Sequence, residues 1–366
     1  MELFHKKLDE IAEKIQYFEV RRKKIGELLR KINEEMKIEK DDEILDDRII
    51  VKVPDRKFKK MRILGVDGGI VKHSYHGLDL ILMRAVGVNF TYDEGKLKTT
   101  DYFPNSNPIP TPRIIFDVLS DLELNTCYNF ERQILEVMTM IKSIEKFKPD
   151  IALLDGSIIP HYVPKPENPV LADYYNELIE VYRSLFRIAE EKEIILAGIV
   201  EDSRGKKFCD ILMRKILPKL TSDFLPEIKL ILEKTKDTNL LFYVLEKGER
   251  TFAFNYSQNP KIHPILREFE EMNELFCSFY IKTVEFDRPL RVDFLNLDVE
   301  DLIEKLSVAL IQTSGHAGYG LPTVLIEADQ RAKLSEKDLE MFYSDLISKL
   351  GNVATLFKMR RELRPF

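Results

Sequence analysis

The chain has 366 residues, 44% of them hydrophobic, with 56 Lys and Arg against 62 Asp and Glu for a net charge of −6. That balance excludes wholesale disorder and a protein that coats nucleic acid by bulk charge, but not a nuclease whose metal site gathers carboxylates. Three scattered cysteines, Cys127, Cys209 and Cys277, exclude a disulfide scaffold or a zinc site, and no apolar run is long enough to cross a membrane, so a cytoplasmic protein with reduced thiols is expected.

Residues 3–40 hold no Pro and a single Gly, Gly26. Phe4, Leu8, Ile11, Ile15, Phe18, Ile25, Leu29, Ile32 and Met36 recur at spacings of four and three, with polar Arg22 in register. This heptad seam predicts a long helix within residues 1–45. It is either an arm that dimerises or meets a partner, or a helix lying on its own domain. Residues 46–366 read as one α/β domain with an insertion around 204–295.

Residues 48–53 form a short predicted strand ended by Pro54, followed by the basic cluster Arg56, Lys57, Lys59, Lys60 and Arg62. An apolar strand then runs into Gly65-Val66-Asp67-Gly68-Gly69. Residues 78–90 and 96–103 are further strands joined through Asp93-Glu94-Gly95, and residues 104–112, with four prolines, are a loop. Residues 125–147 are helical and stop at Pro149. Residues 151–155 make a buried strand that delivers Asp155-Gly156-Ser157, and a helix over 172–192 leads to a strand over 194–200 ending at Glu201-Asp202-Ser203. Beyond lie a helix over 208–217, a hairpin of 240–246 with 251–256, strands at 279–286 and 291–295, and a helix over 299–313. A glycine-rich loop at 315–322, a helix over 323–333 and an acidic capping box at Ser335-Glu336-Lys337-Asp338 close the pattern. The order is that of a ribonuclease-H-like fold: a mixed sheet flanked by helices, with a long N-terminal helix and C-terminal helices.

Three buried strands thus end in carboxylates, Asp67, Asp155 and Asp202. Sites in open α/β sheets form beyond the carboxyl ends of strands. Two-metal phosphodiester hydrolysis needs several carboxylates converging on hard divalent ions. A further ligand from the helix over 125–147 would be Glu131 or Glu136, and the late helix offers Asp329 or Glu327. No phosphate-binding Gly-x-x-x-x-Gly-Lys loop, dinucleotide fingerprint or nucleophile elbow is present.

These residues resemble the NurA family of archaeal DNA repair nucleases. The likeness rests on Gly65-Val66-Asp67-Gly68-Gly69, Leu153-Leu154-Asp155-Gly156-Ser157, Gly198-Ile199-Val200-Glu201-Asp202-Ser203, and Tyr319-Gly320-Leu321-Pro322 leading into Ile326-Glu327-Ala328-Asp329, in the family's order. The resemblance implies a Mn²⁺ (or Mg²⁺) dependent 5′→3′ exonuclease and single-strand endonuclease. It implies a homodimer that acts on single-stranded DNA and DNA ends with a HerA-type hexameric ATPase in end resection. Carried over, Asp67, Glu131 and Asp155 are the metal carboxylates; Asp202, at its strand end, and Asp329, on the late helix, are the further catalytic candidates read from the residues themselves. Where the family often has Lys and His, this chain has Glu201 and Asp329; His316, Lys206 or Lys207 are the candidate substitutes.

With a net negative charge, DNA contact must come from local cations. The candidates are Arg56, Lys57, Lys59 and Lys60, with Lys206, and a second cluster of Lys358, Arg360, Arg361 and Arg364. Two other readings compete: a non-catalytic docking partner of a DNA translocase, and an actin-like or sugar-kinase-fold ATPase, for which no adenosine motif is found.

Overall fold

A proline-free stretch with apolar residues at spacings of four and three forms one uninterrupted helix. The computed structural model describes residues 1–76, 78–160, 165–220 and 225–351, the side chains of Glu2 and Leu3 excepted. It opens with α1, Glu2–Glu35. Then come β1 Ile50–Lys52, β2 Lys60–Tyr75, β3 Leu78–Asp93, β4 Lys96–Phe103, β5 Thr111–Ile115, α2 Asp121–Phe147, β6 Ile151–Asp155, α3 Pro169–Glu191 and β7 Ile195–Val200. They are followed by α4 Lys207–Ile211, α5 Leu225–Glu233, α6 Asp237–Val244, β8 Glu249–Thr251, β9 Phe254–Asn255, β10 Phe276–Lys282, β11 Leu290–Leu295, α7 Leu302–Thr313, α8 Thr323–Ala332 and α9 Glu336–Leu350. The basic cluster expected at Lys358, Arg360, Arg361 and Arg364 lies outside the described residues.

The chain divides into two compact units, one of residues 1–57, 156–158 and 197–323, the other of residues 58–155, 159–196 and 324 onward. In the first, the helical seam splits in two. Ile25, Leu29 and Ile32 are buried with Leu240, Leu241 and Val244 of α6 and Ile231 and Leu232 of α5. Phe4, Leu8, Ile11 and Ile15 of the same seam stay exposed. The strands of this unit are antiparallel: β1 on β8, β8 on β10, β10 on β11, and residues 197–200 on β11. Residues 240–246 are not the strand expected of them. Leu240, Leu241 and Val244 are buried on one side of α6, a helical spacing that a short apolar run does not distinguish from a strand.

The second unit is built on a hairpin of unusual length, β2 with β3, paired from Lys60 opposite Asp93 to Tyr75 opposite Leu78. Both β4 and β5 pair antiparallel with β3 at different points along it. The end of the proline-rich segment is therefore a strand, from Thr111, rather than loop. The chain then crosses through α2 and returns as β6, parallel to β2. α2 starts on a capping box, Ser120 with Glu123, and ends at Lys148 in the left-handed region just before Pro149. The mixed sheet and its flanking helices are those expected. The capping box of α9 is also realised, with Ser335 and Asp338 bonding each other's backbone.

The split seam gives a direct contrast. Leu29 is fully buried, so Leu29→Ala should cost about 2–5 kcal/mol of unfolding free energy. Ile11 is 54% exposed, so Ile11→Ala should stay within about 0.5 kcal/mol in dilute protein. Urea denaturation of the two variants checks both values.

Candidate active site

The register of β2 on β6 decides where the two Asp-Gly motifs lie. Ile63 pairs with Ile151, Leu64 with Ala152, Gly65 with Leu153 and Val66 with Leu154. The next step of that register sets Asp67 beside Asp155. In a parallel pair such residues project from the same face, with strands about 4.8 Å apart. The apolar residues leading to each Asp are buried, which holds the strands and hence the register.

Side chains alternate along β2, so Gly65, Asp67 and Gly69 share one face. A Cβ on Gly65 would lie 3.0 Å from the Val324 carbonyl oxygen, and one on Gly69 only 2.2 Å from that of Ala332. The two glycines therefore let α8 lie directly on the strand, with Asp67 the one side chain between them. This brings Asp329, exposed on α8, into electrostatic range of Asp67. Burial pushes the Asp67 carboxyl above its ordinary range, against a bond from the Gly68 amide, and the charge of Asp329 adds to the rise.

The opposite face of β2 receives α2. A Cβ on Gly68 would stand 2.5 Å from Cγ of Glu136, so the second glycine of the motif makes room for a glutamate. Glu136 is buried, ion-paired with Arg132 one turn earlier, and feels the charges of both Asp67 and Asp155. Its carboxyl is pushed up to about 8, chiefly by burial and then by the two aspartates, against the pull of Arg132. Glu131, the helix residue expected here, is also buried but differently partnered. It lies 3.7 Å from Arg113 and beside Tyr174 and Cys127, whose thiol rises to about 12 through burial and then the Glu131 charge. The two glutamates are five residues apart on α2 and so face different ways. Of the pair, Glu136, although packed against the other face of β2, is the one that feels the charges of Asp67 and Asp155. The glycine pair after Asp67 is the signal for it, because a bare Cα on a strand marks a close approach.

The remaining expected residues have local partners. Asp202 belongs to the first unit, is 84% exposed at its side chain, and faces Arg288 at 3.5 Å. Glu201, also there, accepts the Tyr319 hydroxyl at 2.9 Å, a pairing of two motifs that nothing in the sequence announces. Glu327 accepts from Tyr102 and Arg331, both at 2.8 Å. Arg56 is ion-paired with Glu304. Lys206 donates to the Glu233 carbonyl at 2.7 Å, while Lys57, Lys59 and Lys60 are exposed. His316 sits in an exposed turn bridged to Tyr319.

The donor set fits a hard divalent cation in kind: oxygen ligands from carboxylates, of which Asp67 and Glu136 have their pKa raised by burial and by neighbouring aspartates. As arranged, no three His, Cys, Asp or Glu side chains among the described residues form a ready-made metal cage, and Glu136 is engaged by Arg132.

No curated protein sequence matches the chain. Among solved structures, the NurA nuclease from Sulfolobus solfataricus is 18% identical, with 96% of this chain and 97% of that one covered at a TM-score of 0.60. A NurA with manganese is 12% identical over 94% and 99% of the two chains, at a TM-score of 0.54. A NurA bound to dAMP and manganese is 14% identical over 96% and 98%, at a TM-score of 0.51. These likenesses show a shared fold. The model of the NurA domain matches residues 61–334, most of the chain, and the protein is a member of the NurA family.

Proposed function

We propose that this NurA-family protein is a Mn²⁺-dependent DNA nuclease that works through Asp67, Asp155 and Glu136, with Asp329 as a fourth carboxylate. The observation that carries the reading is the in-register parallel pairing of β2 and β6, which sets two buried-strand aspartates side by side. The NurA structures that hold manganese, one of them with dAMP, support the choice of metal and of a nucleotide substrate. When bound, divalent ions of this class activate water and neutralise the charge developing on the phosphate. Mg²⁺ would meet the same oxygen donors.

Asp67 and Asp155 would hold the ion from the sheet, and Glu136, released from Arg132, would supply a further ligand from α2. Asp329, exposed on α8 and within electrostatic range of Asp67, would orient the attacking water or supply a further ligand oxygen. This chain therefore puts a carboxylate where the family often has His. The finer activity is 5′→3′ exonuclease and single-strand endonuclease, in end resection beside a HerA-type ATPase. The exposed seam of α1, Phe4, Leu8, Ile11 and Ile15, is the surface we assign to the homodimer. Glu136, rather than Glu131, is assigned as the helix ligand because Glu136 feels the charges of both aspartates while Glu131 faces Arg113.

Two outcomes follow. Purified protein should degrade single-stranded DNA with Mn²⁺ and stop in EDTA. Asp67→Asn, Asp155→Asn and Glu136→Gln should each slow it by about a hundredfold or more, since the metal contributes several kcal/mol and each 1.36 kcal/mol is tenfold in rate. Glu131→Gln should stay near wild type; the reverse pattern would move the helix ligand to Glu131.

The second outcome concerns stability without metal. Glu136 has its folded pKa near 8, above the ordinary value of 4.5, so between those limits the folded state holds a proton that the unfolded chain releases. Stability in EDTA should therefore fall as pH rises through that window. Thermal melts from pH 5 to 8 should show a steeper fall for wild type than for Glu136→Gln.

A further inference from the structure

The elements that carry Asp67 and Glu136 also carry two cations in line with Glu136. On β2, Lys72 follows Gly68 by four residues and so projects from the same face, toward α2. Its Nζ lies 4.6 Å from the centre of the Tyr128 ring and bonds the side-chain oxygen of Asn125. Both partners are neutral, so they orient the ammonium without cancelling its charge. Lys72 itself is exposed. Tyr128, Arg132 and Glu136 occupy successive turns of one α2 stripe, about 6 Å apart along the axis. Lys72, Arg132 and Glu136 therefore succeed one another along the same side of β2.

Arg132 is suited to a second partner. Its bond to Glu136 uses one terminal nitrogen, its side chain is 32% exposed, and a guanidinium carries five donors in a fixed fork. It also lies within the field of Asp67. A cation held against the carboxylate site, with donors still open to solvent, is placed to bind a phosphate oxygen.

We propose that Arg132 and Lys72 bind successive phosphates of the DNA strand whose cleaved phosphate lies at Asp67, Asp155 and Glu136, and so guide that strand along β2. The proposal rests on the nuclease reading and adds the path of the substrate. It moves DNA binding away from Arg56 and Lys206, which Glu304 and the Glu233 carbonyl already engage.

The test is the salt dependence of binding, measured in EDTA by fluorescence anisotropy with a labelled single-stranded oligothymidine. Each cation removed from a phosphate should lower the log–log slope by about 0.7. Lys72→Gln and Arg132→Gln should each show that drop, and the double variant should show about twice as much. A wild-type slope in either single variant would overturn the proposal, and Lys72→Gln keeps this readable should removal of the Arg132 ion pair unsettle the fold. Mn²⁺-dependent cleavage by Asp67→Asn, read on a gel, separates the two claims. Retained cleavage there sinks the nuclease site and the strand path with it, whereas abolished cleavage with unchanged salt slopes sinks the path alone.

Discussion

Everything assigned to the site depends on the parallel pairing of β2 with β6. A slip of one residue would turn Asp155 to the other face, away from Asp67. Two buried segments, residues 63–66 and 151–154, fix the register by burying side chains on both faces. The same apolar flanks bury Asp67 and lift its pKa. One structural requirement thus sets both the geometry and the electrostatics of the site.

Like charges gathered under burial are costly without compensation. Here it comes from protons and from Arg132. Burial and the two aspartates push the Glu136 carboxyl up to about 8, favouring its protonated form, and Arg132 supplies one opposite charge from the same helix. A divalent cation would replace both. Glycines make the crowding sterically feasible: Gly65 and Gly69 admit α8 on one face of β2, and Gly68 admits Glu136 on the other.

Much of this is legible in the sequence. The apolar runs ending in Asp-Gly mark β2 and β6, and the crossover helix between them implies the parallel pairing. What the sequence does not resolve is direction around α2. Glu131 and Glu136 are both buried, and periodicity alone does not say which stripe meets the strand tips. The glycine pair holds that information, but only through an approach made across the fold. Residues 240–246 read as a strand and fold as a helix, because a short apolar run fits a buried strand or a buried helix equally well. The heptad seam of α1 is continuous in sequence yet buried only over its second half, because α5 and α6 cover that part. The Glu201–Tyr319 hydrogen bond joins residues 118 apart, beyond any local signal.

The central claim is that a divalent ion binds where β2, β6 and α2 bring Asp67, Asp155 and Glu136 together. Anomalous scattering from Mn²⁺-soaked crystals tests it most directly. The account predicts a manganese peak bounded by oxygens of Asp67 and Asp155, with Glu136 turned from Arg132 to the ion. A peak beside Glu131 and Arg113 instead, or none near Asp67, would contradict it.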